Sequence, residues 1–183
     1  MARSIYLIGF SGTGKSTVAG LVGVRLGWPV YDLDRLIVER SGLDIPAIFA
    51  AEGEDGFRER ETAALREVAH AGPAVVATGG GAVLRPENRA LMAGSGWLVA
   101  LEGRPETLLA RLARQRERDD PDAKRPLLAG DDPLDRLRVL KERRQPLYAL
   151  ADWTVHTDRL SPAEVAAEVA RAAELLSALT RGA

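Results

Sequence analysis

The 183 residues suffice for one domain with a sizeable core but are short for two, and 46% hydrophobic with 28% charged residues is the balance of a soluble globular chain. A net charge of −1 gives no general basic field for nucleic acid; the lack of cysteine excludes disulfides and thiolate metal sites; His70 and His156 are far apart. No apolar stretch approaches the roughly 18 residues of a membrane span, and the N-terminus lacks the apolar core of a signal peptide, so the expected location is the cytoplasm.

Ile5-Tyr6-Leu7-Ile8 reads as a strand buried on both faces, and Gly9-Phe10-Ser11-Gly12-Thr13-Gly14-Lys15-Ser16-Thr17 follows it. That loop fits G-x-x-x-x-G-K-S/T, and Val18, Leu21, Val22 and Leu26 continue at helical spacing until Gly27 and Pro29. Strand, glycine loop and helix therefore stand in the order a phosphate cradle needs. The N–H groups of Gly12, Thr13, Gly14, Lys15, Ser16 and Thr17 and the positive helix end face a polyphosphate, Lys15 reaches its β- and γ-phosphates, and the Ser16 hydroxyl ligates Mg²⁺.

Val30-Tyr31 is a short strand leading into Asp32-Leu33-Asp34, at the sheet edge that carries the phosphate loop. The alternative for the two carboxylates is a solvated turn. A helical stretch runs to Ser41-Gly42, a shorter one holds Ile45, Ile48 and Phe49 before Gly53, and a longer helix spans about 54–71. On it Arg58 and Glu61 are three apart; by themselves they read as a solvated surface pair of small energetic value.

Ala74 to Thr78 is a continuous apolar strand ending in Gly79-Gly80-Gly81, where three glycines suggest backbone freedom and the close approach of a ligand; a plain left-handed turn would need only one. Arg85-Pro86 opens another helix, Trp97 to Leu101 is a buried strand, and Pro105 starts a helix running into an arginine-rich stretch. From Asp119 to Gly130 the mixed charge lacks apolar periodicity and suggests a mobile lid. Asp132-Pro133 has the form of a helix start, Pro146 should end or kink that helix, Trp153 to His156 is a last strand, and Ser161-Pro162-Ala163-Glu164 caps a final helix burying Val165, Val169, Ala172, Leu176 and Leu179. Strand and helix alternate throughout, which implies an α/β fold with a parallel sheet between two helical layers.

Taken together, the phosphate loop, Asp32-Leu33-Asp34, the G-E-x-x-F-R-x-x-E pattern from Gly53 to Glu61, Gly79-Gly80-Gly81, Arg125-Pro126-Leu127-Leu128 and Arg144-Gln145-Pro146-Leu147-Tyr148 resemble shikimate kinase over nearly the whole chain. The resemblance implies a single three-layer P-loop kinase domain over 1–183, with a five-stranded parallel sheet, a shikimate-binding segment at 33–61 and a lid at 112–126. It implies transfer of the ATP γ-phosphate to the 3-hydroxyl of shikimate, on the route to chorismate and the aromatic amino acids.

By the same resemblance Asp34 holds the shikimate hydroxyls and accepts the proton of the attacking one. Arg58 and Arg144 hold the carboxylate, Gly79, Gly80 and Gly81 line the pocket, and Asp32 joins Ser16 at Mg²⁺ through water. Arg125 closes over the transferring phosphate, and Arg111 and Pro162 lie at the adenine. A monomer is implied, with no nucleic-acid or membrane partner. The 111–125 segment is longer and more charged than usual for the family, His156 stands where an acidic residue is frequent, and Leu33 is bulkier than the usual residue. Rival readings are a gluconate or nucleotide kinase of the same fold, or a non-catalytic nucleotide-binding module. The glycines at 79–81, where nucleotide kinases carry an aromatic-Pro-Arg signature, count against a nucleotide acceptor.

Overall fold

The computed structural model describes residues 3–119 and 132–181, with side chains at 3–115 and 132–180. Five strands, β1 (Ser4–Ile8), β2 (Val30–Asp32), β3 (Val75–Ala77), β4 (Gly96–Glu102) and β5 (Trp153–His156), form one sheet in the order β2-β3-β1-β4-β5. Every pairing is parallel, with Ile5 opposite Val75 and Trp97, so the C-terminal ends of all five strands share one edge. The loops after β1, β2 and β3 carry the phosphate motif, the paired aspartates and the three glycines, and all leave that edge.

Alternating side chains on each strand explain the two-sided burial. Ile5, Leu7, Val75, Ala77, Val99 and Leu101 pack with Val18 and Val22 of helix α1 (Lys15–Leu26) and Val165 and Val169 of helix α7 (Pro162–Arg181). Tyr6, Ile8, Val76, Leu98 and Ala100 face the opposite layer. That layer comprises α2 (Leu33–Ser41), α3 (Ile45–His70), α4 (Pro86–Ser95), α5 (Pro105–Asp119) and α6 (Pro133–Tyr148).

Local chemistry sets the helix ends. Asp32 closes β2 and caps α2, its Oδ1 accepting from the N–H of Asp34 at 3.1 Å and of Arg35 at 3.2 Å. Asp44 caps α3 through the N–H of Ala47, and the expected break falls at Gly53, whose φ of 71° and ψ of −172° bend α3 in two. Ser161 and Glu164 form the expected capping box.

Two expectations need adjusting. Pro146 does not end α6 at its own position: the helix closes two residues later at Tyr148, and the Ala149 N–H still donates to the Gln145 carbonyl at 2.9 Å. A proline two residues from a helix end removes one amide bond, and the residues just beyond it can still close the helix. Leu179 is 73% exposed rather than buried, and Leu176 is only partly buried, so the core-facing stripe of α7 stops short of its last turns. The 112–126 segment begins inside α5, where Leu112 is packed in the core; residues 120–131 lie outside the described residues.

Candidate active site

The phosphate loop is shaped by contacts that only glycine allows. Gly9 has φ of 139°, and a Cβ there would meet the Leu101 carbonyl oxygen at 2.3 Å, backbone that cannot yield. Gly14, at φ of 91°, precedes the first turn of α1 without capping it by a side chain, so that turn's N–H groups remain available to an anion. Thr13 ties the loop back on itself through the Phe10 carbonyl at 2.9 Å.

Lys15 is buried and donates from Nζ to the carbonyls of Gly9 at 2.7 Å and Phe10 at 2.9 Å. Burial lowers its pKa from 10.5 to about 8, while the charges of Asp34 and Asp32 pull it back up and Arg144 adds to the lowering. The ammonium is therefore charged below about pH 8 in the free chain and lost above it. Accordingly kcat/KM for ATP should fall by about tenfold per pH unit well above that value; a flat profile from pH 7 to 9.5 would show that Lys15 keeps its proton.

Lys15 opens onto a cleft of about 700 Å³ lined by Gly12, Thr13, Gly14, Ser16, Thr17, Asp32, Asp34, Gly80, Arg111 and Pro162 among others. Residues expected from five separate stretches of sequence thus share one cavity. Asp34 lies in the first turn of α2 with its pKa raised by burial and by the charge of Asp32, against the opposing pull of Lys15 and Arg58. Among the described residues no cluster of three or more His, Asp or Glu could by itself hold a metal. The Ser16 hydroxyl and Asp32 carboxylate instead form a sparse all-oxygen donor set beside a phosphate cradle, which fits Mg²⁺ held largely by substrate oxygens and water.

On the far side of Asp34, Arg58 donates from Nη1 to Glu61 Oε2 at 2.9 Å and from Nη2 to Glu54 Oε1 at 3.3 Å. The pair with Glu61 is not solvated: Glu61 is wholly buried and the Arg58 side chain is 12% exposed. Burial raises the Glu61 pKa and Arg58 opposes it. Fixing a guanidinium this way defines its direction.

The three glycines follow from crowding rather than backbone freedom. None has positive φ. A Cβ on Gly79 would lie 2.5 Å from Glu61 Oε1 and 3.0 Å from Asp34 Oδ1, one on Gly80 3.3 Å from Ser11 Oγ, and one on Gly81 2.3 Å from Arg58 Nη2. The close approach expected of a ligand is already made here by the chain's own side chains. Gly81→Ala should therefore displace the held guanidinium and raise the acceptor KM about tenfold with the ATP KM unchanged; steady-state kinetics with each substrate varied checks this.

Arg144, on α6, reaches the same loop from another direction. Its Nη1 donates to the Gly80 carbonyl at 3.4 Å, and its guanidinium sits 5.5 Å from the centre of the buried Phe10 ring. Arg111 lines the opposite end of the cleft with Pro162, held by Thr157 through its hydroxyl at 2.8 Å and its carbonyl at 2.7 Å. Neither Thr157 nor Phe10 stands out in the sequence as a site residue. Thr157 carries only the faint signal of a hydroxyl directly after a strand, and Phe10 that of the first variable position in the phosphate loop.

A family model described as shikimate kinase matches residues 11–174. The shikimate kinase of Symbiobacterium thermophilum is 45% identical over 167 residues, spanning 91% of this chain and 93% of that protein, and that of Thioalkalivibrio sulfidiphilus is 46% identical over 169 residues, 92% and 85%. The chain belongs to the shikimate kinase family. Among solved structures, the shikimate kinase of Acinetobacter baumannii in complex with shikimate superposes with a TM-score of 0.85 at 36% identity, covering 97% of this chain and 94% of that one. A gluconokinase from Sinorhizobium meliloti, at TM-score 0.64 and 19% identity, shares the fold alone. Within the family match fall the cleft residues from Gly12 to Pro162, and also Arg58 and Arg144, which do not line that cleft. Arg125 also falls inside it but outside the described residues, and His156 is an exposed strand-end residue. No helix among the described residues is long and apolar enough to cross a membrane.

Proposed function

We propose that this shikimate kinase transfers the γ-phosphate of ATP to the 3-hydroxyl of shikimate, giving shikimate 3-phosphate and ADP, by the following division of labour. The supporting observation is the placement of two arginines from separate helices, Arg58 and Arg144, around the glycine segment next to Asp34 and across from Lys15. Planar guanidinium groups suit a carboxylate, and two on different elements orient a small acid.

The N–H groups of Gly12 to Thr17 receive the phosphates, with Arg111 and Pro162 at the base. Lys15 moves its ammonium from the Gly9 and Phe10 carbonyls onto the β- and γ-phosphates. Arg58 and Arg144 bind the acceptor's carboxylate, and Gly79, Gly80 and Gly81 line the acceptor pocket while leaving room for the side chains that hold the acceptor. Asp34 orients the acceptor hydroxyl and takes its proton as the oxygen bonds to the γ-phosphorus and the bond to the bridging oxygen of ADP breaks. Ser16 and, through water, Asp32 would hold Mg²⁺, which would supply neutralisation of phosphate charge. Arg125, outside the described residues, is assigned to the charge of the transferring phosphate, and the enzyme works as a cytoplasmic monomer without nucleic-acid or membrane partners.

The test is ATP consumption with shikimate, quinate, gluconate and AMP offered separately. Turnover is expected with shikimate; turnover with gluconate or AMP and none with shikimate would sink the reading.

A further inference from the structure

The Gly80 carbonyl accepts from two side chains of one helix. Besides Arg144 Nη1 at 3.4 Å, the Tyr148 hydroxyl donates to it at 2.7 Å. Tyr148 is 1% exposed, its ring part of the core beside Leu137 and Phe10. Arg144 and Tyr148 are four apart and share a helix face because α6 continues through Pro146. Gly80 itself sits against Ser11 of the phosphate loop, with Asp34 next to Gly79 and Arg58 next to Gly81.

The two donors are unequal. Tyr148 makes a short bond from a rigid, buried ring, whereas Arg144 makes a long one from a flexible side chain whose guanidinium is suited to a carboxylate. A guanidinium that leaves a carbonyl for a ligand costs least when that carbonyl keeps another donor.

We propose that Tyr148 is a positioning residue for the acceptor: by satisfying the Gly80 carbonyl itself, its hydroxyl releases Arg144 to bind the acceptor's carboxylate and keeps Gly80 in place while it does so. This rests on the reading that Arg144 binds that carboxylate. Burial pushes the Tyr148 pKa up to about 12, opposed by the neighbouring Arg144, so the hydroxyl remains a donor throughout the working range.

Y148F keeps the ring and removes only the donor. Without it the Gly80 carbonyl retains Arg144, and the KM for shikimate should rise about tenfold, the net worth of one hydrogen bond to a charged partner. The ATP KM and the kcat at saturating shikimate should stay within about twofold, because Lys15 and Asp34 are untouched. With shikimate methyl ester, which offers no anionic carboxylate, the parent should bind poorly and Y148F no worse. A purely structural loosening would raise both substrates' KM and penalise the ester equally. An unchanged shikimate KM, a matching rise for ATP, or an equal penalty on the ester each overturns the proposal. A parent enzyme that does not phosphorylate shikimate overturns the underlying function instead, so the two failures are distinct.

Discussion

Asp34→Asn is expected to lower kcat by about 10²- to 10⁴-fold, the usual worth of a positioned general base, while the fold persists. Asn is nearly the same size and can still hydrogen-bond an acceptor hydroxyl, so shikimate KM should change far less than kcat. The side chain's surroundings support the persistence of the fold: the cap on α2 belongs to Asp32, whose Oδ1 holds the N–H groups of residues 34 and 35, and the core side chain of this turn is Leu33. The Asp34 carboxyl is held above its ordinary pKa first by burial and next by Asp32. Activity of the parent should accordingly fall off on the acid side at a higher pH than an exposed aspartate would give, and Asn should remove that limb. Near-normal kcat in the variant would rule out proton acceptance by Asp34 and leave it an orienting role alone.

Arg58→Ala should weaken shikimate binding about hundredfold and destabilise the protein at the same time. The first effect follows from losing a bidentate donor to a carboxylate. The second follows from Glu61, which is wholly buried and would lose the guanidinium that offsets its burial. Stranding one member of a buried pair costs about 3–5 kcal/mol, some of it relieved here if Glu61 takes up a proton. The effects separate in Arg58→Ala with Glu61→Gln, which should recover much of the lost stability in urea unfolding without recovering shikimate affinity. ATP affinity should be nearly unchanged in both variants, since Arg58 does not line the main cleft. Parallel losses of ATP and shikimate affinity would contradict the assignment.

The sheet, the phosphate loop and most helix ends were legible because each depends on residues close together in sequence: an apolar run, a glycine-lysine pattern, an aspartate before a proline. The Arg58–Glu61 pair was not. Its spacing is that of countless surface pairs, and its significance comes from burial against Gly79 and Gly81, decided by a strand that begins only at residue 75. The same separation hid the reason for the glycines, whose missing side chains make room for Arg58, Glu61 and Asp34 rather than permit unusual dihedrals. Pro146 marks the end of α6 only to within two residues, because its effect is large in mid-helix and small inside the last turn. The exposure of Leu179 depends on what packs against the end of α7, which no pattern within the helix reports.

The adjacency of β1 and β3 gives the reaction a built-in ruler. The phosphate loop springs from one of these strands and the three glycines from the next, and the ladder is carried to the strand tip by Thr78, whose N–H and hydroxyl both donate to the Leu7 carbonyl. Neighbouring strands lie about 4.8 Å apart wherever backbone hydrogen bonds join them. The two loops therefore start from strand tips whose spacing is metered by main-chain geometry, and on the proposed reading the arginines and aspartates decide only where within that fixed frame the acceptor lies.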